Sequence, residues 1–323
     1  MPDFMNNEND ENDRQFKPDN RENLMRVSDS NAERPDFGFM GKEGGMGGPG
    51  MGKNSSGADL VYTDDSIDSY SILFDSAKTT ISKSDKLRLI QSIKNLSLGD
   101  LENSVDIDAS LRYFVVHNFV CNYDSYTGNM LHNYYLYEKD GKMTILPWDY
   151  NLAFGGFSHG GGRPGEETDG ELENSENNSV SNMVNMLIDE PLSGANNEER
   201  PFCGKLIENE SCKEEYHKLF SEFINNYFMS GYFENKLDYM SNLIRDYVKN
   251  DATAFYTVEE FDKGVDTLKK FCLLRSESIW NQLNGKDDII SVGDLNLDDL
   301  GTQFGGHDNF NKEKEFGKEA MKP

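Results

Sequence analysis

The stretch from Asn118 to Phe157, NFVCNYDSYTGNMLHNYYLYEKDGKMTILPWDYNLAFGGF, holds the residues of this chain best suited to chemistry. Asp124 stands where an apolar run stops and a Ser-Tyr-Thr-Gly loop begins, and Asn129 and Asn133 follow it. Two short β-prone runs come next. Asp149 then sits in Pro-Trp-Asp-Tyr-Asn, with Asn151 two residues on and a Gly-rich continuation after it. Phosphoryl transfer asks for such a set. One carboxylate takes the proton of the incoming hydroxyl, while an Asn and a second carboxylate hold Mg²⁺ against the phosphates. Hard oxygen ligands suit Mg²⁺ and Mn²⁺, and one or two from the protein are enough because phosphate supplies others. Asp and Asn also serve ordinary Asx-turns and caps, so spacing alone leaves both readings open.

The elements that must position these residues are legible around them. The run from Ser84 to Leu98 reads as a helix capped by Ser84, with Leu87, Leu89, Ile90, Ile93 and Leu96 as its apolar stripe. Asp108 is a candidate cap for a second helix, whose apolar face includes Leu111, Phe114, Val115 and Phe119 and which leads into Asp124. Residues 133–147 read as a β-hairpin, with Asp140-Gly141 at the turn and Pro147 closing it. From about Leu206 to Leu283 the chain reads as helical again. Phe220, Phe223, Ile224, Tyr227 and Phe228 form one stripe, and Leu243, Ile244 and Tyr247 belong to a second helix. His117, on a mainly apolar helix, reads as a core histidine satisfied by backbone, with a bond to the Asp124 loop as the rival.

Between these segments the chain is very polar. Residues 1–36 carry ten acids and five bases with few large aliphatics, and 38–52 are Gly-rich, so 1–57 are expected to be disordered or linker-like. Residues 158–182 read as a long acidic loop, and 286–323 as a polar, loosely held tail. With 32 basic and 58 acidic residues the formal net charge is -26, which argues against nucleic acid or anionic lipid as a partner. The mean hydropathy of -0.72 fits that polarity. Residues 1–30 show no basic-then-apolar signal peptide, and no apolar run approaches the ~20 residues of a membrane span. Cys121, Cys203, Cys212 and Cys272 form no C-x-x-C pair and read as reduced thiols.

Two weaker motifs have plainer explanations. Gly47 to Lys53 has phosphate-loop spacing but no strand before it and no helix after it, so it reads as linker. Asp64, Ser66 and Asp68 alternate like a calcium loop but lack its Gly and its final Glu, so they read as a capped turn.

Asp124-Ser-Tyr-Thr-Gly-Asn-Met-Leu-His-Asn-Tyr-Tyr-Leu-Tyr followed by Pro147-Trp-Asp-Tyr-Asn-Leu-Ala-Phe-Gly resembles the CotH family, atypical protein kinases named for a spore-coat protein. Asp59-Leu-Val-Tyr-Thr-Asp-Asp, Leu111-Arg-Tyr-Phe-Val-Val-His-Asn and Leu274-Arg-Ser-Glu-Ser-Ile extend the resemblance over roughly residues 58–285, the acidic loop excluded. It implies an α+β, kinase-like fold, here mainly the helical C-terminal lobe with a catalytic hairpin. It implies ATP with Mg²⁺ or Mn²⁺ and phosphate transfer to Ser or Thr of Ser-rich spore-coat or surface proteins, in the cytoplasm or on the spore coat. By the same match Asp124 is the base and Asp149 a metal ligand. Asn133 shares the metal, with Asn129 as its rival five residues after Asp124, and Asn151 stands where an Asp is common. Residues 1–57 offer no alternating strands, so the N-terminal lobe and its phosphate-contacting Lys are expected to be missing and the activity of this chain alone to be weak. The alternative is a non-catalytic structural coat or surface protein of the same fold.

Overall fold

The computed structural model describes residues 57–301, apart from 129–130, 132, 156–178 and 255. All of these lie in the second of two units, Gly47–Pro323. A helical turn at Ile67–Tyr70 runs into α1 (Ser71–Asp75), followed by α2 (Lys83–Ser97) and α3 (Ile107–Phe119). The hairpin β1 (Tyr134–Lys139) and β2 (Lys142–Pro147) comes next, paired antiparallel with Tyr134 opposite Pro147. Then follow α4 (Pro201–Glu208), α5 (Glu210–Phe223), a π-helical turn (Ile224–Met229), α6 (Tyr232–Asn250) and α7 (Val258–Leu283). The described part is thus α+β, mainly helical with one two-stranded sheet.

Both early helices start two residues before the expected caps. Ser82 caps α2, because the residue three positions on is Asp85. That carboxylate accepts the Ser82 amide at 2.8 Å and closes a capping box, whereas Ser84 has only Leu87 at the same offset. In α3 the cap is Asp106, which accepts the Ala109 amide at 3.1 Å, while Asp108 pairs with Arg112 one turn later. The chain is still extended at Val105, which forms a parallel bridge to Met143 of β2, so Asp106 is the first residue free to turn. Backbone bonds on either side of that bridge, Asp106 N to Met143 O at 2.9 Å and Met143 N to Ser104 O at 2.8 Å, lock the start of α3 to the hairpin.

The hairpin turn is built as its Asp-Gly signal requires, with left-handed φ of 54° at Asp140 and 84° at Gly141. Helix α2 holds its tip: Arg88 grips Glu138 through two bonds of 2.8 and 2.7 Å, and Ser92 donates to Gly141 O at 2.7 Å. The α2 core stripe is Ile90, Ile93 and Leu96, and Leu87 is exposed. The α3 face of Leu111, Phe114, Val115 and Phe119 is buried as expected. Phe114 meets Phe202 of α4, and Phe119 stacks on Phe228 at 4.6 Å, so the π-helical turn delivers an aromatic onto α3.

Leu243, Ile244 and Tyr247 lie on one helix as expected, α6, but it contains no buried residue, and these three face solvent with Tyr239 and Met240. Two expectations are corrected. Residues 179–182, assigned to the acidic loop, are helical, with Val180 buried. The polar tail packs back at its start. Leu295 and Leu297 are buried, Asn185 exchanges two hydrogen bonds with the backbone of Ile290, and Lys263 of α7 pairs with Asp299 at 2.8 Å.

Arg275 of α7 ties the last helix to the rest. It is wholly buried. Its guanidinium donates to Val184 O at 3.1 Å, Met186 O at 2.6 Å and Asn118 Oδ1 of α3 at 2.6 Å. Desolvation pushes its pKa down, and these bonds oppose that cost. Arg275→Met keeps most of the volume but strands buried acceptors, each costing ~1–3 kcal/mol. It is expected to lower unfolding free energy by about 3 kcal/mol or more in urea titrations, and near-wild-type stability would contradict this account.

Candidate active site

After α3 the chain turns on Cys121, a non-glycine residue at φ 47°, and enters the Asp124 loop. Residues 124–128 are all buried, although the loop belongs to no ladder. Its carbonyls are met from a distance. Buried Arg200, the residue before α4, donates to Tyr126 O and Gly128 O at 2.9 Å each, and the Ser193 amide donates to Thr127 O at 2.9 Å. The Tyr126 hydroxyl donates to Asp59 O and accepts the Phe202 amide, both at 3.1 Å. Only glycine fits at 128, because a Cβ there would lie 1.7 Å from Tyr123 O. Asp124 is 4% exposed and accepts a bond from Asn133 Nδ2 at 2.8 Å.

Asn133 immediately precedes β1, and Tyr134 pairs with Pro147. Directly opposed antiparallel residues lie ~4.5–5.5 Å apart. The end of the hairpin that holds Asn133 against Asp124 is therefore the end from which Trp148 and Asp149 leave. Trp148 is half-exposed and meets the Tyr135 ring edge-on at 5.1 Å. Asp149 is exposed, with a left-handed φ of 54°, and Asn151 is exposed in the next turn. Leu152, Ala153 and Gly155 then turn inward and are buried. Asp149 itself and four other non-glycine residues near the two acids in the chain, Cys121, Leu131, Asn133 and Phe154, have left-handed backbone. Asn and Asp tolerate this conformation; for Leu and Phe it costs of order 1–2 kcal/mol per residue. Such strain persists only where surroundings over-determine the backbone, and it gathers at functional sites.

His117, near the end of α3, is a core histidine with a backbone partner at Asn122, but it is held mainly by side chains. It is 2% exposed and uses side chains on both of its ring nitrogens. Nε2 lies 2.6 Å from Ser125 Oγ and 3.0 Å from Thr127 Oγ1, both in the Asp124 loop. Nδ1 lies 2.8 Å from the Tyr150 hydroxyl, one residue past Asp149. Ser125 donates to Asn122 O at 2.9 Å, so it accepts from the imidazole. The network therefore assigns the proton to Nε2 and makes Nδ1 the acceptor of Tyr150 O–H. Burial pushes His117 down to about 4.

Of the residues expected at the site, Asp124 and Asn133 are in direct contact, and Asp149 and Asn151 sit at the same hairpin end. Asn129 and His132 lie outside the described residues, as does the Gly47–Lys53 motif. Asp64 caps a turn, accepting from the Ser66 amide at 2.7 Å and from Ser69 Oγ at 3.0 Å. Sequence reasoning missed Arg200 and Tyr150, whose partners are 74 and 33 residues away in the chain. Among the described residues no group of three or more His, Cys, Asp or Glu converges as a metal cage. A cation held here would rest on the Asp149 carboxylate and amide oxygens.

A family model described as CotH kinase protein matches residues 6–279, beginning well upstream of residue 58. Inner spore coat protein H of Bacillus subtilis (strain 168) is 23% identical over 188 residues, covering 58% of this chain. The chain spans 44% of that relative's length. No solved structure matches significantly. No helix among the described residues is long and apolar enough to cross a membrane.

The buried imidazole gives a pH prediction. Its folded pKa, about 4, lies below the unfolded value of ~6.5, so the unfolded chain binds the extra proton first. Its stabilising effect is fully present above pH ~6.5 and is lost as pH falls toward 4, by about 3 kcal/mol in all. Unfolding free energy measured between pH 7 and 4 is expected to fall more steeply in the wild type than in His117→Gln. Parallel curves would show that His117 is not the titrating group.

Proposed function

Because the chain belongs to the CotH family, we propose that it transfers phosphate from Mg²⁺- or Mn²⁺-bound ATP to Ser or Thr hydroxyls of a Ser-rich, spore-coat-type protein. The observation that carries this reading is the Asn133–Asp124 bond, which sets the loop acid against the hairpin end that bears Asp149.

In this reading Asp124, held on a rigid loop, orients the acceptor hydroxyl and takes its proton. Asp149, exposed and free to meet solvent ions, binds the cation. Asn133 gives its Nδ2 to Asp124, which leaves Oδ1 for the same cation, and Asn151 can add a second amide oxygen. A divalent cation held by these residues would supply electrostatic stabilisation of the transferring phosphate's charge. The net charge of -26 favours such a division of labour, because free ATP is repelled while its metal complex carries less negative charge. Ionic strength should therefore weaken nucleotide binding less than is usual for phosphate sites.

The test is transfer of labelled phosphate from ATP to a Ser-rich acceptor, beside metal-dependent nucleotide binding by calorimetry. Asp149→Asn, which keeps a residue tolerant of left-handed backbone, is expected to abolish metal-dependent nucleotide binding. Asp124→Asn is expected to leave binding in place and lower turnover ~10²–10⁴-fold, the usual worth of a general base. Full transfer by the Asp124→Asn and Asp149→Asn double variant would overturn the reading. A wild-type chain that binds no metal-nucleotide would instead favour a structural coat component.

A further inference from the structure

The segment from Met143 to Phe154 is fixed to α3 by backbone at both ends. Met143 pairs with Ser104 and Asp106 at the start of the helix, and the Phe154 amide donates to Val120 O just beyond its last turn. Asp149 lies between these anchors, exposed and on left-handed backbone. Near it, the His117–Tyr150 bond is a side-chain tie from the segment to α3, beside a contact of Tyr150 with Tyr113 of the same helix. The imidazole is packed as well as bonded: the Tyr113 ring stacks on it at 4.9 Å and 22°, and the Tyr150 ring meets it edge-on at 5.6 Å and 89°. Its other nitrogen reaches Ser125 and Thr127, the first and third residues after Asp124. One rigid ring thus touches both acid-bearing segments, each within a few residues of its carboxylate.

We propose that His117 and Tyr150 form a positioning pair that fixes the separation between the Asp124 loop and the Asp149 segment, and thereby sets which size of divalent cation at Asp149 places the nucleotide in line with the hydroxyl at Asp124. The proposal rests on the phosphotransfer reading and adds to it a determinant of metal choice. A ring with one donor and one acceptor suits this task. Neutral imidazole donates to Ser125 and accepts from Tyr150 at once, so both segments are held by directional bonds to the same rigid plane. Burial keeps the ring neutral through the neutral range, so one nitrogen stays an acceptor.

Tyr150→Phe removes one hydroxyl and keeps the ring that packs on His117. The experiment measures kcat/KM with Mg²⁺ and with the larger Mn²⁺ for wild type, Tyr150→Phe, His117→Gln and their double variant, alongside melting temperatures. Misplacement of about an ångström near the chemistry costs on the order of 10- to 100-fold. Tyr150→Phe is expected to shift the Mg²⁺/Mn²⁺ ratio by about tenfold with little change in melting temperature, and the double variant to be no worse than the poorer single, as for groups acting as one unit. An unchanged ratio, or equal losses with both metals, would overturn the proposal and leave phosphotransfer standing. If the wild type shows no metal-nucleotide binding, the functional reading fails on its own. The pair is then judged by hydrogen exchange at residues 149–153, where faster exchange in Tyr150→Phe supports positioning and unchanged exchange refutes it.

Discussion

A buried loop with no ladder of its own must find most of its hydrogen-bond partners elsewhere, and Asp124 to Gly128, which closes only a turn of its own from Gly128 N to Ser125 O, is such a loop. The whole arrangement around it follows from that need. Arg200 is buried so that its planar fork can meet two loop carbonyls in one geometry, a task the point charge of a Lys could not perform. Ser193 brings a third donor from the chain before α4, and residues 58–59 come across to meet the hydroxyls of Tyr126 and Tyr134. Helix α4 packs closely enough for Phe202 to donate its amide to Tyr126. The packing of α3, α4 and the hairpin is thus partly a consequence of supplying donors to five residues.

How much of this was legible in the sequence depended on range. Local signals worked where one short segment decides the outcome. The Asp140-Gly141 turn forms, and the α3 stripe is buried. Helix starts failed by two residues because each cap depends on something beyond propensity: the partner three positions on for Ser82, and the bridge to Met143 for Asp106. The candidate site was legible as a motif but not as a structure. Asp124, Asn133 and Asp149 stood out by type, whereas nothing near Arg200 or Tyr150 announces which carbonyl or ring each will meet. Leu295 and Leu297 were masked by the acids around them, since average polarity hides two buried side chains in a polar stretch.

Rigidity and exposure are divided unequally between the two acids. Asp124 is enclosed and bonded, as suits a group whose aim matters. Asp149 stands in solvent on a left-handed backbone that β-branched residues avoid and Asp tolerates, as suits a group that must exchange an ion with water. The unusual backbone at Leu131 and Phe154, which are not turn-forming residues, shows that the fold forces the geometry there against local preference.

Helix α6 carries a consequence of another kind. It has nineteen residues and buries none of them completely. Its attachment to α7 includes Arg245 gripping Asp262 and Lys269 meeting Asp238, pairs that are partly open to water, with Phe233 packed on Phe228 at its first turn. Exposed pairs of this type are worth ~0–1 kcal/mol and weaken as salt rises. The ion-paired attachment of this helix is therefore expected to loosen as ionic strength rises, whereas its first turn stays tied through Phe233 and Phe228 to the aromatic core beneath α3.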